Sequence, residues 1–285
     1  MTEDLDARLW RLQASEDADE LIELGCDLAE AGRQTDAEWC FRRAAALGDV
    51  TGYYDLGNSL AAQERWAEAV EAYEVALAGG EADAWRNLGL VLEQLGDLAG
   101  AMAAYRGAAA AGDTEGGLQL AFLLHEQGEH EQALAVAADL AATEDDVAAA
   151  VVACWRWAAS HDTALEVDLR AGADRFAGTR VALASLLRTT GRTAEARFTL
   201  ERGAKLGEVQ AWLPLGNFYV ADLDDVEAAE EAYRAGIAAG DGYCHHNLAV
   251  LLADRGDLDG AVEHFRLGAA DGDDLAERAL RELEG

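Results

Sequence analysis

Six histidines and four cysteines are the side chains in this sequence best suited to metal or nucleophilic chemistry, and their spacing argues against both. His125 and His130 frame the run HEQGEH. A two-histidine zinc site on a helix needs its histidines four apart, on one face. Here the second comes one residue late and Gly128 interrupts the helix between them, so no metal is expected. His245 and His246 are adjacent, hence about 100° apart around a helix, and do not chelate together. Cys26, Cys40, Cys154 and Cys244 show no C-x-x-C pairing. In a chain of 285 residues they read as small buried apolar side chains in a reducing compartment. The acid clusters Asp222/Asp224/Asp225 and Asp254/Asp257/Asp259 lack the spacing and closing glutamate of a calcium loop. Neither G-x-x-x-x-G-K nor G-x-S-x-G occurs. The expectation is a non-enzyme with no catalytic residue, metal or cofactor.

Composition indicates what kind of scaffold carries these residues. Apolar side chains make up 51% of the chain, dominated by Ala and Leu, with two Ile, one Pro and one Lys. Helix formers abound and β-branched runs are scarce, which predicts an all-α protein. The formal charge of −33 comes from 55 acids against 22 bases. Such a field repels phosphate backbones and attracts basic partners, so no direct nucleic-acid binding is expected. The acidic N-terminus has no apolar run behind it, and no stretch approaches the roughly 18 apolar residues of a membrane span. A cytoplasmic protein without membrane contact is therefore expected.

An internal period organises the whole chain. A Leu-small pair recurs at Leu24-Gly25, Leu56-Gly57, Leu88-Gly89 and Leu120-Ala121, 32 residues apart, then at Leu183-Ala184, Leu215-Gly216 and Leu248-Ala249. A blurred copy lies at Val152-Ala153. Thirteen residues after most of these leucines comes Ala, and four later an aromatic such as Phe41, Tyr73, Tyr105 or Phe265. Steps of three and four place them on one helical face. Gly-Asp or Gly-Glu pairs punctuate the pattern within units (Gly96-Asp97, Gly128-Glu129, Gly256-Asp257) and between them (Gly48-Asp49, Gly112-Asp113, Gly240-Asp241, Gly272-Asp273). Glycine supplies a left-handed turn after one helix, and the acid caps the next.

The marks Trp85-x-x-Leu88-Gly89, Ala101, Tyr105 and Ala108 resemble the tetratricopeptide repeat, and YRGAAAAGD leading into LQLA resembles the related Sel-like repeats. The resemblance implies an all-α, right-handed superhelical α-solenoid of about eight 32-residue helix-turn-helix repeats. Residues 1–17 would form an N-terminal capping helix and 18–147 repeats one to four. A degenerate repeat at 148–179 would be a hinge, followed by repeats six to eight at 180–274 and a C-terminal capping helix at 275–285.

In such solenoids the first helices of successive units line a concave binding surface. Positions −2, +2 and +5 from each repeat leucine form that stripe, with only three formal charges among its 24 residues. Its candidate partner-binding residues are Tyr54, Asn58, Arg86, Leu90, Phe122, Trp157, Arg188, Asn217 and His246. Some tetratricopeptide domains clamp a peptide carboxylate with Lys and Asn on these helices. Here Asn58 and Asn217 lie on the stripe and only Arg86 or Arg188 could supply the charge, because Lys205 falls at the end of a second helix. Residues 151–200 hold seven Arg against five acids. Arg156, Arg170, Arg175 and Arg180 there form a candidate secondary patch for an acidic partner, the chain's own acidic flanks or a second copy. The expected function is a protein-protein interaction scaffold or adaptor for a peptide or protein. The alternative is an acidic decoy that binds a basic, nucleic-acid-binding protein by charge.

Overall fold

The structure is a computed structural model that describes residues 5–284. Residues 1–4 and 285, the outermost parts of the two expected capping segments, lie outside the described residues. The described residues form eighteen α-helices and no strand. They divide into two compact units, one ending at Leu140 and the other beginning at Ala141.

In the first unit a short helix α1 (Leu5–Leu12) precedes four hairpins. These pair α2 (Ala18–Glu30) with α3 (Gln34–Ala46), α4 (Val50–Ala62) with α5 (Trp66–Ala78), α6 (Ala84–Gln94) with α7 (Leu98–Ala110), and α8 (Thr114–Glu126) with α9 (His130–Ala141). In the second unit four hairpins precede a closing helix. They pair α10 (Asp146–Ser160) with α11 (Glu166–Gly172), α12 (Ala177–Thr189) with α13 (Thr193–Lys205), α14 (Trp212–Leu223) with α15 (Val226–Ala238), and α16 (Cys244–Asp254) with α17 (Leu258–Ala270). The closing helix is α18 (Asp274–Glu284). Each unit is thus a helical-hairpin solenoid segment with eight hairpins between them, as the 32-residue period implies.

The turns follow from the punctuation. Gly32, Gly96, Gly128, Gly191 and Gly256 take positive φ within hairpins, and Gly48, Gly80, Gly112, Gly207, Gly240 and Gly272 take it between them. The next acid then caps the helix: Asp49 accepts from the Gly52 amide at 3.1 Å, Asp97 from Gly100 at 2.9 Å and Asp257 from Gly260 at 3.0 Å. Glu64 and Glu144 occupy two of these left-handed positions without being glycine.

The Leu-small pair has a more specific role than close helix approach. The repeat leucines Leu24, Leu56, Leu88, Leu120, Leu183, Leu215 and Leu248 are all buried. The glycine beside four of them makes room for the aromatic ring of the second helix. A Cβ at Gly25 would stand 2.5 Å from Phe41 Cε1, and one at Gly57 2.5 Å from Tyr73 Cε1. Gly89 faces Tyr105 and Gly216 faces Tyr233 in the same way. Where the ring is lost the glycine is lost too: Ala121, Ala153 and Ala184 go with Ala137, Leu169 and Leu200. Ala249 with Phe265 is the exception, and there His246 meets the ring edge-on.

A second recurrent device clasps adjacent repeats. Arg65, at the start of α5, reaches back to Glu38 of α3 at 2.6 Å; Arg192, before α13, reaches Glu166 of α11 at 2.6 Å; Arg255, after α16, reaches Glu230 of α15. Each glutamate is held below the ordinary carboxylate range against some burial. Hydrogen bonds from Arg42 and Gln63 act on Glu38, with Arg65 adding its charge. Hydrogen bonds from Arg192 and Arg170 act on Glu166, and from Arg234 on Glu230.

Residues 148–179 do form helices, with a difference. α10 begins at Asp146, and the second helix is only the seven residues of α11, entered through a 3-10 turn at Thr163–Leu165. The whole segment lies inside the second unit. Cys40 and Cys244 are buried and Cys154 is half-buried, but Cys26 is exposed, so the expectation of four buried thiols fails there. Cys26 sits at the +2 position, the face where other repeats carry groove residues.

Candidate functional site

Among the cavities along the first helices, one in each unit is built from equivalent positions. In the first unit Asn58 of α4 stands in the middle of a hydrogen-bonded floor. Its Oδ1 accepts from the Tyr73 hydroxyl at 2.8 Å and from Asn87 Nδ2 of the next repeat at 2.8 Å. Asn87 Nδ2 also lies 3.3 Å from the Tyr54 hydroxyl. The cavity above this floor measures about 350 Å³ and is walled by Ala61, Trp66, Leu90, Val91 and Gln94. Asp55, one turn before Asn58, is pushed up to about 6 by burial, partly offset by a hydrogen bond with Asn58.

The second unit repeats the arrangement. Asn217 Oδ1 accepts from the Tyr233 hydroxyl at 2.8 Å and from Asn247 Nδ2 at 2.5 Å. The cavity here measures about 720 Å³, with Val220, Val226, Val250 and Leu251 as apolar walls and Glu227, His246, Asp254 and Arg255 at its edges. Burial raises both tyrosines above the ordinary phenol range, so they remain neutral donors. With Oδ1 occupied twice, the central asparagine is fixed in orientation, since a carboxamide has only two good acceptor directions.

The structure brings together Tyr54, Asn58 and Leu90 in the first groove and Asn217 and His246 in the second. Leu90 is 44% exposed, although a leucine in a repeat core would be buried. The other expected residues lie elsewhere. Trp157 is 4% exposed and packs in the core of α10 to α13, so its assignment to the binding stripe is corrected. It occupies the +5 position, but its ring is buried in a cluster that includes Leu169, Leu183 and Leu187. Arg86 pairs with Asp113, 3.4 Å away, and with Glu115. Arg188 pairs with Asp222 at 2.7 Å. Neither guanidinium lines a groove, so neither supplies the charge of a carboxylate clamp there. Phe122 is half-buried on α8 and outside both cavities.

The arginine patch is largely spent within the chain. Arg180 is 3% exposed and bridges Asp174 at 2.7 Å and Glu208, which corrects its assignment to a surface patch. Arg170 bonds Glu166 and Glu195, both at 2.8 Å, and Arg175 meets Asp146 at 3.0 Å. Arg156 is exposed beside a further cavity of about 350 Å³ lined by α10 and α11.

Sequence reasoning missed Tyr73, Asn87, Tyr233 and Asn247. Both asparagines hold the −1 position, which the −2, +2, +5 stripe skips, and both tyrosines read as packing alone. The coincidence of Asn at +2, Tyr at the aromatic position and Asn at the next −1, twice in the chain, was the available signal.

His125 and His130 come closer than their spacing implied. The Gly128 turn brings the rings to 4.5 Å between centroids, and burial with mutual repulsion lowers the His125 pKa. His245 and His246 diverge as expected: His245 Nδ1 lies 2.8 Å from His264 Nδ1, while His246 faces Phe265. No group of three or more His, Cys, Asp or Glu side chains able to hold a metal occurs among the described residues. None of the described helices is long and apolar enough to cross a membrane.

A tetratricopeptide-repeat family model matches residues 22–81 and 54–115. Over residues 22–115 the chain is thus similar to tetratricopeptide repeats. Solved structures extend the likeness beyond the matched repeats. A Sel1 repeat protein from Oxalobacter formigenes is 19% identical with a TM-score of 0.68, covering 99% of this chain and 95% of its own. A tetratricopeptide repeat protein from Parabacteroides merdae is 18% identical with a TM-score of 0.56, covering 87% and 99%. The APC/C hetero-tetramer Cut9-Hcn1 gives 15% identity and a TM-score of 0.60, covering 97% of this chain and 58% of the other. At these identities the likeness is one of fold. No curated protein matches the sequence.

Proposed function

We propose that this repeat protein is a non-catalytic adaptor that holds an extended peptide segment of a protein partner against the first helices of its two units. The observation that carries the reading is the duplicated Tyr-Asn-Asn floor. Each floor fixes a carboxamide beneath a cavity with apolar walls, of which Leu90, Val220 and Val250 are exposed. Such a surface offers hydrogen bonds for a peptide backbone and apolar pockets for its side chains, the usual division of labour in peptide recognition. One of the similar solved chains is itself part of a hetero-tetramer, the APC/C assembly Cut9-Hcn1. We further propose a cytoplasmic location, in keeping with four free thiols.

The test is affinity capture from the source cell with the wild-type chain and with Asn58→Ala/Asn87→Ala/Asn217→Ala/Asn247→Ala. A protein retained by wild type and lost by the variant, with helicity unchanged by circular dichroism, is the expected result. Retention that ignores the four asparagines but collapses between low and physiological salt would favour the charge-led decoy instead.

A further inference from the structure

The two grooves share a floor and differ in one wall, and the difference is electrostatic. Ala61, Trp66, Leu90 and Val91 of the first correspond in repeat position to Val220, Val226, Val250 and Leu251 of the second, so apolar stays apolar. Gln94, however, corresponds to Asp254, and Ala67 to Glu227. The second groove has two carboxylates where the first has none. The neighbouring cation offsets only part of this charge: Arg255 is shared between Glu230 and, at 3.2 Å, Glu227, and does not pair with Asp254. Asp254 has no ion-pair partner among the described residues, and the Glu227 side chain is 84% exposed. The surrounding field has the same sign, because residues 221–285 carry 17 acids against five arginines.

We infer that the second groove selects a segment bearing a lysine or arginine, with its aliphatic stem along Val220, Val226 and Val250 and its charged head at Asp254 and Glu227. The inference rests on the peptide-binding reading of the grooves. Long basic side chains lie with their methylenes on apolar surface while the head stays hydrated near opposite charge. Both carboxylates are solvated, so each adds selectivity and encounter rate more than affinity. The first groove, neutral and walled by Trp66, takes an apolar side chain by the same logic. The two grooves would thus take different side chains, one basic and one apolar, each above its own amide floor.

The probe is a random decapeptide bead library, N-acetylated and C-amidated, sorted on the full-length chain and sequenced. Lysine or arginine should be enriched among retained peptides. Glu227→Gln/Asp254→Asn should abolish that enrichment, leave the apolar preference, and weaken a selected basic peptide by about three- to tenfold. The converse variant, Ala67→Glu/Gln94→Asp, should add a basic preference at a second position. Peptides retained without basic enrichment, or with enrichment that survives Glu227→Gln/Asp254→Asn, overturn this inference and leave the grooves as peptide sites. No retention at all, or retention indifferent to Asn58→Ala/Asn217→Ala, overturns the peptide-binding reading with it.

Discussion

At the residue scale, the glycine of each Leu-Gly pair is a socket for an aromatic ring. This sets two opposed effects against each other at Gly89. Alanine improves intrinsic helix propensity by about 1 kcal/mol, but its Cβ would overlap the Tyr105 ring. Overpacking typically costs about 1–3 kcal/mol, so Gly89→Ala should destabilise on balance. The natural pairs Ala153 with Leu169 and Ala184 with Leu200 show the compensating choice. Gly89→Ala/Tyr105→Leu should therefore be more stable than the sum of the two single changes, by urea unfolding in a double-mutant cycle. Additivity would mean that ring and glycine do not share one space. The pairing of small residue and aromatic was legible as a periodicity; its meaning was not, because spacing gives the face a residue lies on and not the atom it meets. The floors were hidden for a related reason. A tyrosine with neighbours at helical spacing reads as core until its hydroxyl is seen donating to Asn58 or Asn217.

At the element scale, turns and clasps decide how well hairpins close and stack. Glu144 sits at φ +66° where Gly48, Gly80 and Gly112 stand in the preceding units. A side chain in the left-handed region costs roughly 1–2 kcal/mol, partly offset by the greater freedom a glycine has when unfolded. Glu144→Gly should thus raise the melting temperature, and a fall would show that the Glu144 side chain has a compensating role. The clasps carry a pH signature. Glu166, gripped by Arg192 and Arg170, is pulled down to about 2. Its folded pKa lies below the unfolded value, so the stability it adds is complete above about pH 5 and is lost as pH falls through about 2. The melting difference between wild type and Glu166→Gln should follow that course. A difference independent of pH would place the role of Glu166 in packing instead. The arginine excess at 151–200 was legible, but its use was not. Sequence cannot show that Arg192 and Arg170 converge on one glutamate or that Arg180 is buried between Asp174 and Glu208.

At the scale of the whole molecule, the 32-residue period was enough to give the class of fold and the number of hairpins. The division of the chain was placed less well. The blurred repeat at 148–179 drew attention because Val152 and Leu169 break the pattern, yet the two units part between Leu140 and Ala141. Near that division α9 buries only Ala133 and Ala137, whereas α3 buries five residues including Phe41. Loss of apolar area at an ordinary-looking alanine is invisible to a search for broken leucines. Both units remain strongly acidic, with 28 acids against eight bases up to Leu140 and 27 against 14 beyond it. Each carries its own amide-floored groove, so the account requires binding at two equivalent places.

Hydrogen-deuterium exchange of the full chain, alone and saturated with its captured partner, tests that requirement most directly. The account predicts slowed exchange centred on α4 and α6 in the first unit and on α14 and α16 in the second, with α5, α7, α15 and α17 changing less. Protection confined to the second helices and turns, or to the arginine-rich segment 151–200, would contradict it.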